Sequence, residues 1–270
     1  MEASIEAIYA MALRASPSIL TSFYYRNKHA GLSELWVRAM HAASHRMVDS
    51  GAYSFLYGAK LAIDFDLYLT KYLSWVRDNS RSGVVDWWVE LDLSQILGYD
   101  WVHKQRDKMI ADGLGAGLIT VWHSDADWAY WLYLIEESLR PGRSRYIAIE
   151  GHHADREKLD YTKFIAEAYR KGVRVHGFMI TGCGDLERWP FYSVDSTTWK
   201  SCVIWGGSSS LSRTSTGICH QHVGRGVWLG SVIKDRIPFM LQSIDTWAAY
   251  ERRITESWVA RGVDWSRLDL

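Results

Sequence analysis

Two short strings each place an aspartate at the end of an apolar or aromatic run and follow it with small polar residues. They are Met47-Val48-Asp49-Ser50-Gly51-Ala52-Tyr53-Ser54 and Phe191-Tyr192-Ser193-Val194-Asp195-Ser196-Thr197-Thr198-Trp199. A strand that stops on an acid and then turns presents that acid at the rim of a sheet, within reach of a substrate. Brought together by a closed or strongly wound fold, Asp49 and Asp195 form a carboxylate pair. That pair is the minimum equipment for chemistry at a sugar's anomeric carbon.

Four more residues end predicted strands: Asp92, His123, Gly151 and His176. In barrels built from strand–helix repeats the reacting groups sit at the C-terminal strand ends, so all six positions are expected at one mouth. Each also has a purely structural reading. An acid after a strand commonly caps the next helix, which fits Asp49, Asp195 and also Asp92 before Leu93-Ser94-Gln95. A strand-end histidine is often an interior or rim residue, Gly151 can serve a tight turn alone, and Tyr53 can serve the core alone. Cys219, His220 and His222 are too close together to reach one ion and lack a C-x-x-C partner, so no metal site is expected.

The elements that position these residues follow from periodicity. Short runs rich in Val, Ile, Tyr and Trp predict strands at Ile19–Tyr25, Arg46–Asp49, Val84–Asp92, Leu118–His123, Tyr146–Glu150, Val173–Gly177, Phe191–Asp195 and Cys202–Trp205. Several are apolar throughout, as in a parallel sheet buried on both faces. Between them, Asp64 caps a predicted helix bearing Leu67, Tyr68, Tyr72, Leu73 and Val76. Asp125 caps another bearing Trp128, Trp131, Leu132, Ile135 and Leu139, and Tyr161–Lys171 ends in basic residues before Gly172. Strand–helix alternation repeated eight times predicts an α/β fold, a single-domain (β/α)₈ TIM barrel over 1–270 with a C-terminal helical tail. An open doubly wound sheet is the alternative, but no G-x-G-x-x-G follows the first strand.

Composition narrows the class. The 270 residues suit one large domain, 48% hydrophobic content is enough for a core, and only 4 prolines occur with no linker-like tract. Zero formal net charge means that any nucleic-acid contact must come from local patches. Three scattered cysteines argue for a reducing compartment rather than a disulfide framework. No segment approaches 18 apolar residues and no signal-like N-terminus is visible, so a soluble, non-secreted protein is expected.

The string Asp49-Ser50-Gly51-Ala52-Tyr53-Ser54 resembles the D-S-G-[GA]-[FY] signature of the tRNA-guanine transglycosylase superfamily. Further segments resemble its phage branch, the DpdA-type enzymes that insert 7-deazaguanines into DNA. These are Glu90-Leu91-Asp92, Val121-Trp122-His123, Tyr146-Ile147-Ala148-Ile149-Glu150-Gly151, Val175-His176-Gly177-Phe178 and Phe191 to Trp199. They occur in order across residues 45–205. The resemblance implies a (β/α)₈ barrel that exchanges guanine in DNA for a free 7-deazaguanine base, its co-substrate, with no cofactor. It implies Asp195 as the nucleophile forming a glycosyl ester and Asp49 as the acid/base. Tyr53 would stack on the purine, Asp92 would accept from its amino and ring N–H groups, and Gly151 would approach it through the backbone. His123 stands where tRNA enzymes carry glutamine, and His176 would line the pocket. The C-x-C-x-x-C zinc subdomain of the tRNA enzymes has no counterpart here, which favours DNA over tRNA as the polymer. The same chemistry on tRNA, and a barrel that binds a purine or nucleic acid without turnover, are the alternatives.

The Gly/Ser-rich segment Gly206–Gly226 is expected as a long loop, with Arg213, His220, His222 and Arg225 contacting phosphates beside the mouth. Lys104, Arg106 and Lys108 are expected on a solvated helix face. Arg140, Arg143 and Arg145 precede a strand and are expected at the opposite end. The resemblance further implies the cytoplasm of a phage-infected host as the setting, with homodimerisation possible and no membrane partner.

Overall fold

Seven parallel strands, each followed by at least one helix, build the framework of the chain. They are β1 (Ser18–Ser22), β2 (His45–Asp49), β3 (Trp87–Val89), β4 (Leu118–His123), β5 (Tyr146–Glu150), β6 (Arg174–Phe178) and β7 (Ser193–Val194). They pair in sequence order, every neighbour parallel, with register running from Ser22 opposite Asp49 to His176 opposite Ser193. The helices are α1 (Ile5–Arg14), α2 (Phe23–Lys28), α3 (Ser33–Ala42), α4 (Ala52–Leu56), α5 (Phe65–Arg81) and α6 (Ser94–Leu97). They continue with α7 (Tyr99–Ala111), α8 (Trp128–Ser138), α9 (Thr162–Arg170), α10 (Cys183–Arg188), α11 (Thr198–Ile204) and α12 (Ile237–Ala260). The computed structural model describes residues 5–14, 18–28, 33–56, 63–150, 160–204, 207–211, 218–222 and 236–268.

Period-two alternation sorts the strand side chains into two layers. Met47, Val89, Ile119, Val121, Tyr146 and Ala148 form one buried cluster inside the curl. Their alternating neighbours Ile147, Ile149 and Val175 point outward and pack with Trp131, Ile135, Phe164 and Ile165 of α8 and α9. A third cluster joins α1, α3 and α5 to β1–β3. The predicted caps hold in part. Asp64 accepts the Leu67 N–H at 2.9 Å, and α9 ends at Gly172 with φ +73°. The cap of α8 is Asp127 rather than Asp125; its carboxylate accepts the Tyr130 N–H at 2.8 Å.

Among the described residues the sheet is a curled seven-stranded half-barrel, TIM-like in layout but not the closed eight-stranded barrel expected. The run from Cys202 proposed as an eighth strand is helical through Ile204. Trp199 and Val203, four apart, face the cluster over β1–β3, and Ser196 Oγ accepts the Thr198 N–H at 2.9 Å to start the turn. The segment expected as one long loop contains an antiparallel hairpin, β8 (Gly207–Leu211) with β9 (Ile218–His222), lying against α12. Along the seam between β1 and β7, α12 forms the cover of a cavity of about 800 Å³. Among the described residues no helix is long and apolar enough to cross a membrane.

Candidate active site

Asp49 is the last residue of β2, and the turn after it is fixed by glycine. Gly51 has φ +91°, and a Cβ there would stand 2.5 Å from the Cβ of Tyr24 and 3.0 Å from the Tyr68 hydroxyl. The glycine of the D-S-G string is therefore a steric requirement at this corner. Two tyrosines of α5 lock the adjoining strand ends: Tyr68 donates to the Ser50 carbonyl at 2.7 Å and Tyr72 to the Val89 carbonyl at 2.6 Å. Burial raises the Asp49 carboxyl strongly, and the Gly51 N–H lowers it. The charges of Asp195 and Glu150 raise it again, leaving it at about 7. Asp49 and Asp195 are thus within electrostatic reach of each other.

Asp195 follows β7 directly. Its Oδ1 accepts the Met179 N–H at 3.0 Å and faces His176 Nε2 at 3.5 Å. Met179 adopts φ +55°, an unusual conformation for a residue with a side chain, and this aims its N–H at the carboxylate. Burial pushes the Asp195 carboxyl upward. The neighbouring His176 ring and the Met179 N–H outweigh burial and hold it below the usual range. Two identical side chains at one rim are driven apart, one toward the proton and one away from it.

Beside the pair, His123 lies between two acids. Its Nε2 contacts Asp92 Oδ2 and its Nδ1 stands 3.2 Å from Glu150 Oε2. Burial opposes a charge on this ring, but Asp92 and Glu150 prevail and raise it to about 9. Asp92 keeps its capping role as well, accepting the Ser94 N–H at 3.3 Å. The donor atoms of Asp92, His123 and Glu150 all lie within 4.8 Å of one another, so these three could hold a divalent cation. Each ring nitrogen already faces a carboxylate, so the set is also complete as an imidazolium between two acids. One turn deeper, Arg106 of α7 grips Glu90 with two hydrogen bonds of 2.8 and 2.9 Å, and Glu90 Oε1 accepts the Val121 N–H at 2.7 Å. Arg106 is 4% exposed. The solvated face expected for it is corrected: its charge is spent on a carboxylate that stands in for a ladder partner at the end of β3.

The chain has no match among family models, curated proteins or solved structures.

Asp49, Asp92, His123 and Asp195 therefore gather at the C-terminal edge of the sheet, with His176 one step below. Tyr53 stands in α4 just past the glycine corner, 39% exposed rather than in the core. Gly151, Arg213 and Arg225 lie outside the described residues. His220 and His222 are on β9, opposite Ser209 and Gly207, and their side chains are outside the described set. The sequence reading missed Glu150, choosing its neighbour Gly151. The alternation Tyr146, Ala148, Glu150 puts that acid on the inner face and would have revealed it. It also missed Met179, Ser193 and His45, whose parts depend on how distant strands meet.

Proposed function

We propose that the protein exchanges purine bases at the anomeric carbon of a nucleotide, replacing guanine in DNA with a 7-deazaguanine through a glycosyl-aspartate. The observation that carries this reading is that two acids share one rim, Asp49 at the end of β2 and Asp195 just past β7, the latter held by the Met179 N–H and facing His176 while burial raises the former. The Asp195 carboxylate attacks C1′, the C1′–N9 bond breaks, and its electron pair leaves on guanine with a proton from Asp49. The incoming base gives its proton back to Asp49 and displaces the ester oxygen, so two inversions retain configuration. The order of motifs that resembles the transglycosylases supports guanine and DNA as substrates. Asp92 and Glu150 add carboxylate acceptors suited to the amino and ring N–H groups of a purine, and exposed Tyr53 offers a stacking surface.

Nucleoside analysis after incubating the protein with DNA or tRNA, radiolabelled guanine and 7-cyano-7-deazaguanine tests the assignment. Base exchange in DNA is expected, with Asp195→Ala slower by at least about 10⁴-fold and forming no covalent adduct. Exchange in tRNA alone would move the substrate class. Wild-type turnover by the Asp195→Ala protein would end the reading.

A further inference from the structure

Below Asp195 the barrel interior holds a continuous file of polar side chains drawn from four strands. His176 Nδ1 is 2.6 Å from Ser193 Oγ, Ser193 Oγ contacts the Tyr146 hydroxyl, and that hydroxyl is 3.4 Å from His45 Nε2. At the upper end the buried His176 Nε2 has no hydrogen-bond partner, yet it faces Asp195 Oδ1 at 3.5 Å. Tyr146 and His176 are almost fully buried, so each of these groups must be satisfied within the file.

We propose that His45, Tyr146 and Ser193 form a one-way hydrogen-bond chain that fixes His176 with its Nε2–H on Asp195, making His176 a positioning residue for the attacking carboxylate. The direction follows from counting hydrogens. With both rings uncharged, His45 Nε2–H donates to Tyr146, Tyr146 to Ser193, Ser193 to His176 Nδ1, and His176 Nε2–H to the carboxylate. Every donor is then used once and every step points at the anion. The reverse direction, like any arrangement with the hydrogen on His176 Nδ1, sets a bare nitrogen lone pair against the carboxylate, and letting both hydroxyls donate outward presses two hydroxyl oxygens together with no hydrogen between them. Burial first, with Arg174 adding to it, outweighs Asp86 and pushes the His45 ring down to about 4, consistent with its uncharged state. Hydrogen bonds in such a file polarise one another, so the far end contributes to holding the nucleophile ionised and oriented.

The catalytic consequence rests on Asp195 being the nucleophile; the chain itself does not. Nitrogen-15 NMR of the histidine rings in the whole, substrate-free protein reads the chain directly. His176 and His45 are each expected to show a protonated Nε2 and a bare Nδ1, and Tyr146→Phe is expected to scramble the His176 pattern. A protonated Nδ1 on His176 overturns the proposal, as does a His176 pattern unmoved by Tyr146→Phe. In the exchange assay, Ser193→Ala and Tyr146→Phe should lower kcat about 10–100-fold with little change in KM. Ser193→Thr and His45→Gln, which keep a donor in place, should restore most of it. Full kcat in the Ser193→Ala protein would also sink the chain. Absence of any exchange by the wild type would sink the functional reading while leaving the ring spectra to decide this one.

Discussion

Asp49 and Asp195 carry the same side chain and differ only in what surrounds them. Asp49 meets apolar packing, one backbone N–H and two other acids; Asp195 meets a histidine and a strained N–H. In the proposed exchange, where Asp49 supplies the proton, kcat should have a limb that falls as pH rises through about 7. The same shift has a thermodynamic sign. The folded protein holds this proton from the ordinary carboxyl value of 3.8 up to about 7, so stability declines as pH climbs through that window and stays lower above it. Asp49→Asn should therefore match the wild type near pH 4 and be the more stable protein at pH 8, by at most about 4 kcal/mol at 1.36 kcal/mol per pH unit. Urea midpoints at the two pH values check this. At this scale the acids were legible because strand-end position is visible in a string. The file from His45 to Asp195 was not, because Tyr146 and Ser193 lie 47 residues apart and meet only when the sheet curls.

Among the elements, the corner after β2 is the most demanding. Gly51→Ala combines a left-handed backbone with a Cβ inside the Tyr24 side chain. It should cost about 2–4 kcal/mol in urea unfolding and should also slow base exchange by moving Asp49. A variant as stable and active as the wild type would contradict the geometry. Seven strands and the caps at Asp64 and Gly172 could be read from periodicity and terminal chemistry. The run at Cys202 could not, because four or five apolar residues suit a buried strand and a buried helix turn equally. What decided it was packing: Trp199 and Val203 share a helical face toward the core. Arg106 misled for a related reason, since alternating basic residues look solvated until a carboxylate from another strand is found opposite one of them.

At the scale of the whole molecule, α12 ties together the two ends of a sheet that does not close among the described residues. Its first half, through Met240 and Ile244, belongs to the cluster over β1–β3. Its second half, through Tyr250, belongs to the cluster over β5–β6. Trp258 Nε1 donates to the Leu186 carbonyl at 2.8 Å and Trp265 Nε1 to that of Pro190 at 3.1 Å, anchoring the far end. Tyr250→Ala should cost about 3–5 kcal/mol and let the dye ANS bind before the main unfolding transition. A single transition with no early dye signal would show that α12 is dispensable to the seam.

The Arg106–Glu90 grip carries a thermal consequence. Water solvates ions less favourably as it warms, so stripping that hydration becomes easier on heating, while apolar contacts gain little further. An oily exchange at both positions, Arg106→Met with Glu90→Leu, should therefore compare best with the parent in the cold and lose ground as the sample is warmed. The difference between the two stability curves should move in the parent's favour toward high temperature, and calorimetry of the parent and the double variant would trace it.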